Sequence, residues 1–156
     1  MKKYLLTLFV FAATTIFAQE VDSFIELLRS DVKTQKKGII TEVMEFSEAE
    51  AAAFWPVYRN YEVEQDKLAD ARIALIKDYA ANYKTMVDAK ATELMDKAFK
   101  FREERLKLQK KYFKEFSKIL SPTKAAKWAQ LEDQITLLID LQIASELPLA
   151  EKPSEQ

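Results

Sequence analysis

Apolar residues recur at helical intervals along most of this chain. From Phe54 they fall at positions 54, 58, 61, 65, 68, 72, 75 and 79, which hold Phe, Tyr, Tyr, Gln, Leu, Arg, Leu and Tyr. A second stripe runs Met95, Phe99, Arg102, Leu106, Gln109, Phe113, Phe116 and Leu120. Both alternate steps of four and three. A repeat averaging about 3.5 residues is that of helices packed side by side along one continuous seam. Between the two stripes, residues 84–88 make a turn. Two long helices in matching phase with a short connection predict an antiparallel helical hairpin. Each helix has roughly 30 residues, which at about 1.5 Å per residue gives about 45 Å. The polar seam residues Gln65, Arg72, Arg102 and Gln109 weaken such a core but fix its register.

Shorter periodic segments flank the hairpin. Residues 22–45 carry Leu28, Val32, Ile39 and Val43 near helical spacing, widened by Phe24, Ile25, Leu27, Ile40 and Met44. Asp22 or Ser23 can cap this segment. Its middle, Lys33 to Gly38, is polar and holds the only glycine, so a weak point is expected there. The last segment begins at Pro122 and runs to about Glu146. Trp128, Leu131, Ile135, Leu138, Ile139 and Ile143 form its apolar face, and Pro148 stops it. The expected fold is therefore all-α: an elongated antiparallel hairpin of two long helices plus an N-terminal and a C-terminal helix, four in all. One Gly and four Pro in 156 residues agree with long helices rather than sheets.

Two helix starts are written in similar terms. Ser47 followed by Glu50 is a capping box, in which each side chain satisfies a backbone N–H of the other residue. Phe46 precedes the cap, and Ala51 holds the staple position. The helix then meets Pro56, which removes one backbone hydrogen bond and predicts a kink near Ala52–Pro56. The second start is Leu120-Ser121-Pro122, with Ser121 as cap and Pro122 at the first helical position, where a missing N–H costs nothing. For the long helix after 84–88, Asp88 is the best available cap.

Residues 1–18 differ in kind. Lys2 and Lys3 precede an apolar run from Leu5 to Phe17 broken only by three Thr, and Ile16-Phe17-Ala18 precedes Gln19. This layout predicts a secretory signal peptide cleaved after Ala18. The apolar run is short of the ~20 residues that a spanning helix needs. No stable membrane insertion is expected after cleavage. The remainder reads as one helical domain, 19–149, and a disordered tail, 150–156. A bacterial periplasmic location follows from the leader.

Composition removes several functions. There is no Cys and no His. Thiolate metal sites, thiol nucleophiles and imidazole acid–base chemistry are therefore absent. No glycine-rich loop cradles phosphate, and no Ser sits in a nucleophile elbow. An enzyme is not expected, and neither is a cofactor or metal. Residues 19–156 hold 22 basic and 25 acidic groups, which gives no reason to expect nucleic-acid binding. The charge is nonetheless uneven. Residues 19–66 carry a net −6, residues 97–118 a net +6 and residues 132–156 a net −5.

The two start signals together resemble the bacterial periplasmic Spy/CpxP-like family, whose members carry two L-T-x-x-Q motifs, one near each end of a four-helix chain. The matching positions are Phe46, Ser47 and Glu50, then Leu120, Ser121 and Lys124. Ser replaces Thr in both copies, Phe replaces Leu in the first, and neither Gln is kept. The aromatic run Phe54-Trp55-Pro56 with Tyr58 lies outside the family motif and marks a separate branch of the architecture. The resemblance implies a cradle-shaped antiparallel homodimer. It also implies an ATP-independent chaperone, a stress-pathway regulator or a metal-responsive sensor, and the missing His and Cys weigh against the last.

Two features are candidates for contact with other proteins. The aromatic residues Phe54, Trp55, Tyr58 and Tyr61 read either as core or as a surface that holds apolar segments. The basic third helix, with Arg102, Lys110 and Lys114, reads either as a face for acidic clients or headgroups, or as a solvated face. In the second case its charges are neutralised by pairs such as Glu93–Lys97, Asp96–Lys100 and Glu103–Lys107. The leading expectation is a periplasmic protein that binds protein clients, as a holding chaperone or an envelope-stress regulator. A structural adapter with one dedicated envelope partner is the alternative, and a ligand-responsive sensor the second.

Overall fold

The computed structural model describes residues 35–151. The expected leader at 1–18 and the first part of the first helix lie outside them. The chain divides into two compact units, 1–37 and 38–156. Of the first, only residues 35–37 are described. Four α-helices and no strand occur among the described residues. They are α1, whose described part is 35–44, α2 (Glu48–Asn82), α3 (Asp88–Ile119) and α4 (Pro122–Glu146). A single 3₁₀ turn, Tyr83–Thr85, joins α2 to α3. The all-α expectation therefore holds. No helix among the described residues is long and apolar enough to cross a membrane.

Local chemistry sets the boundaries. Helix α1 runs through Gly38 and ends at Glu45, whose φ of 46° is the one positive value at a non-glycine residue among those described. A left-handed residue just past a helix closes its last turn, usually with Gly or Asn there. Two residues later α2 begins on Ser47, and both halves of the capping box form. Ser47 N donates to Glu50 Oε2 at 2.9 Å, and Glu50 N donates to Ser47 Oγ at 3.3 Å. Helix α2 then continues unbroken through Pro56. Both Pro56 and Ala52, whose carbonyl loses its intrahelical donor, are exposed, so water can satisfy that carbonyl.

The start of α3 corrects one expectation. Asp88 is not the cap. Val87 occupies that place without a side-chain hydrogen bond, and Asp88 is the first helical residue. Its charge still favours the helix N-terminus. Helix α4 begins as expected, with Ser121 Oγ accepting from Lys124 N at 3.2 Å and Pro122 opening the helix.

The contacts of α2 and α3 descend along one helix as they ascend along the other. Phe54 stacks on Phe116, Tyr61 meets Tyr112, Lys111 reaches Glu64, Arg72 lies over Phe101, and Lys90 binds Asp78. The two helices thus run antiparallel. Helix α4 runs antiparallel to α3 in turn: Phe116 meets Trp128, Gln109 reaches Asp133, and Arg105 binds Asp140.

The core gathers Ile40 and Met44 of α1, Phe54, Tyr58 and Tyr61 of α2, Leu108, Tyr112 and Phe116 of α3, and Ala125, Trp128, Leu131 and Ile135 of α4, with Leu120 between α3 and α4. It is strongly aromatic. Phe116 is its pivot, with ring centroids 4.6 Å from Phe54 and 4.4 Å from Trp128. Stacked and tilted contacts of this kind add stabilisation beyond the area buried.

The α2 stripe lies where the spacing placed it, with every member buried or half-buried. The α3 stripe does not. Met95, Phe99, Arg102, Leu106 and Phe113 are exposed, and the inward positions are Leu94, Ala98, Phe101, Arg105, Leu108 and Tyr112. The packed seam is one residue earlier than expected over most of its length. The two phases rejoin only near Phe116 and Leu120, which are buried. The α4 face is corrected at one position: Leu138 is exposed, whereas Trp128, Leu131 and Ile135 are buried.

Candidate functional site

The two start signals, 74 residues apart, meet in space. Lys124, fifth residue of the second counted from Leu120, forms an ion pair with the Glu50 carboxylate, fifth residue of the first counted from Phe46. The same ammonium lies 3.4 Å from the Glu45 carbonyl and 5.9 Å from the centre of the Phe46 ring. The hydrogen bond from Lys124, followed by that from the Ser47 backbone, holds the Glu50 carboxyl below its ordinary value. Phe46 packs on Phe54 at 4.6 Å, and Leu120 is buried in the core. Lys124 thus ties the start of α4 to the start of α2, while Ser47 and Ser121 each cap their own helix and Phe46 and Leu120 pack behind the caps.

The aromatic residues expected as a protein-binding surface resolve mostly as core. Phe54, Tyr58 and Tyr61 are buried, because the α2 stripe that carries them faces α3 and α4. Trp55 is half-buried and packs edge-on against Phe54 and Tyr58, with centroids at 5.2 and 5.5 Å. The hydroxyl of Tyr61 donates to the buried Glu132 carboxylate at 2.6 Å, and Gln65 donates to the same oxygen at 3.0 Å. Burial, and then the charge of Glu132, raises the Tyr61 phenol well above its ordinary value.

The polar seam residues now have a purpose. Three of the four reach acidic or carbonyl groups of α4. Gln65 binds Glu132. Arg72 binds Asp140 at 2.7 Å. Gln109 donates to Asp133 at 2.7 Å and to the Ala129 carbonyl at 3.2 Å. Half-buried polar groups matched in this way help specify which helix docks where. The fourth, Arg102, lies outside the seam and is exposed.

The exposed apolar side chains lie on α3 and α4. Leu106 of α3 and Leu137 of α4 line an open cleft of about 320 Å³, together with Arg102, Arg105, Gln109, Glu132 and Asp140 among others. Leu106 is 48% exposed and Leu137 66%. Phe99 lies two turns before Leu106, and Leu141 one turn after Leu137; both are exposed. Because α3 and α4 are antiparallel, these four run in one direction along the two helices as a broken apolar strip, in which the Arg102 guanidinium lies over the Phe99 ring at 5.7 Å. Phe113 continues the α3 side of it. Of these residues, Phe99, Leu106 and Phe113 carry a signal in the sequence, their helical spacing, but that spacing points equally to core. Leu137 and Leu141 carry none.

Beside the strip, some cations of α3 are paired, Lys90 with Asp78 and Glu93 among them, and others are not. Lys97, Arg105, Lys111 and Lys118 are bound to Glu93 and Asp78, Asp140, Glu64 and Glu115 respectively. Arg102, Lys107, Lys110 and Lys114 meet no carboxylate within ion-pair distance among the described residues. Of the three neutralising pairs expected along the helix, Glu93–Lys97 forms. Lys100 turns instead to Glu104 at 4.0 Å, and Lys107 is left to solvent. No group of three or more metal-ligating side chains occurs among the described residues. No family model, curated protein or solved structure matches this chain.

Proposed function

We propose that this is a periplasmic protein that holds apolar segments of other proteins, a divergent Spy/CpxP-like chaperone or envelope-stress regulator. One observation carries the reading: an exposed apolar strip, Phe99, Leu106, Phe113, Leu137 and Leu141, flanked by the unpaired cations Lys107, Lys110 and Lys114. Scattered exposed leucines need no explanation, but large apolar residues aligned on two adjacent helices are a feature of binding faces. The cations give capture at a distance and the strip gives contact, so binding weakens with salt without vanishing. The surface is thus transferred from the α2 aromatics to α3 and α4, while Lys110 and Lys114 keep their proposed place on it.

The test is suppression of aggregation. Several unrelated denatured proteins are diluted into buffer with and without the purified protein. Broad protection at near-equimolar ratio is expected, and Leu106→Glu with Leu137→Glu should abolish it while the circular dichroism stays unchanged. Protection of no client would sink the chaperone and favour the adapter with one dedicated partner. The antiparallel dimer is checked separately by light scattering at tens of micromolar, where a folded monomer would remove the cradle.

A further inference from the structure

Three guanidinium groups gather at one end of the α3–α4 cleft with a single carboxylate among them. Arg72 of α2 binds Asp140 at 2.7 Å, and Arg105 of α3 binds it at 3.0 Å. Both guanidiniums also lie over the Phe101 ring, at 5.6 and 5.4 Å from its centre. Arg102, one turn before Arg105, lines the same cleft and meets no carboxylate within ion-pair distance among the described residues. Its charge is felt by its neighbours. Burial first, and then the positive charges of Arg105 and Arg102, pull Arg72 below its ordinary value against the opposing effect of Asp140. This end of the cleft therefore carries two positive charges more than Asp140 neutralises.

The other end has the opposite character. Glu132 and Asp133 lie there, held by Tyr61, Gln65 and Gln109. Asp133 and Asp140 are seven residues apart on α4, about 10 Å along the helix. Between the two ends the cleft is bounded by Leu106 and Leu137. A cationic mouth, apolar walls and an acidic far end make a site for one kind of ligand.

We infer that this cleft binds an apolar monocarboxylate. Its carboxylate sits between Arg102 and Arg105, and its apolar body lies along Leu106 and Leu137. Guanidiniums present paired N–H donors that match the two oxygens of a carboxylate. The carboxylates at the far end repel a second anionic group, so dicarboxylates are rejected. The cavity, about 320 Å³, is near the lower limit of small-ligand sites and suits a body of medium chain length or a single large apolar residue. Two sources offer this chemistry: a free aliphatic acid, and the C-terminal residue of a peptide with its free carboxylate. The site shares Leu106 and Leu137 with the client-holding strip but needs no client protein, so octanoate binding is read separately from suppression of aggregation.

Octanoate is titrated into the full chain by calorimetry, with octanol and octanedioate as companions. Octanoate is expected to bind, octanol and octanedioate at least about tenfold more weakly. Arg102→Gln, at an exposed position, should weaken octanoate about tenfold with an unchanged thermal midpoint, the loss expected when one charge-assisted contact worth roughly 1.4 kcal/mol is removed. Leu137→Glu, on the exposed wall, is a second variant and should do the same. A peptide ending in leucine that binds with a free terminus and fails when amidated identifies the peptide as the source; octanoate binding alone identifies the free acid. Equal binding of octanol and octanoate, an unaffected Arg102→Gln variant, or no octanoate binding at millimolar concentration each overturns the inference.

Discussion

The phase of α3 is tested by one substitution made twice. Leu106 and Leu108 are two residues apart on the same helix, yet Leu106 is 48% exposed and Leu108 8%. The sequence periodicity puts Leu106 in the seam; the packed structure puts Leu108 there. Replacing each by Ala isolates the difference, since helix propensity changes equally at both. A fully buried leucine is stabilised by about 2 kcal/mol of transfer free energy, and the cavity left behind brings the cost to about 3 kcal/mol. Leu106 has withdrawn only half its surface from water and opens no enclosed cavity, so its loss should cost less than about 1 kcal/mol. With a urea dependence of about 1.5 kcal/mol per molar, the midpoint should fall by about 2 M for Leu108→Ala and by about 0.5 M for Leu106→Ala. Urea unfolding followed by circular dichroism measures both. Equal costs, or a larger one at Leu106, would refute the packing described for α3 and with it the exposed strip.

Three further outcomes follow from particular residues. At Gly38 an added Cβ would meet nothing within 4 Å, and the position lies inside α1. Gly38→Ala should therefore stabilise by about 0.5–1 kcal/mol in thermal unfolding, and a loss would show that the helix needs the glycine. In acid, Glu50, Glu64 and Glu93 all have carboxyl groups held below the ordinary 4.5, chiefly by hydrogen bonds from Lys124, Lys111 and Lys97. Their contribution is complete above about pH 4.5 and is lost as the pH falls through their folded values, so the urea midpoint should be flat near neutrality and drop only below that point. In alkali the sign reverses. Burial, followed by the hydrogen bond to Glu64, pushes the Tyr112 phenol up to about 12, and Tyr58 and Tyr61 are raised as well. Unfolded tyrosines ionise near 10, so stability should decline from there upward, and a phenolate absorbance that rises together with loss of helix is the expected record. Ionisation of every tyrosine near pH 10 with the helices intact would contradict the burial of Tyr58 and Tyr61.

The helices themselves could be read from the chain because their causes are local. Ser47 with Glu50, Ser121 with Pro122, and Pro148 after Glu146 are capping and breaking signals that act within one turn. The long spacing of four and three, with a single glycine, left little else for the chain between them to form. The α2 stripe was also legible, since Phe54, Tyr58 and Tyr61 have no rival phase of equal bulk. Helix α3 was ambiguous because two phases are both apolar: Met95, Phe99, Leu106 and Phe113 on one, Leu94, Phe101, Leu108 and Tyr112 on the other. Only a partner decides between them. The Gln109 and Arg105 side chains reach Asp133 and Asp140, and that docking of α4 turns the second phase inward and leaves the first in water. The same holds for Lys124, which reads in the sequence as a departure from a motif and in the fold as the partner of Glu50. Sequence determined where α2 and α4 start and where the helices are apolar, through interactions spanning three or four residues. Tertiary structure alone decided which apolar face was covered, because that depends on which distant side chains a third helix brings to it.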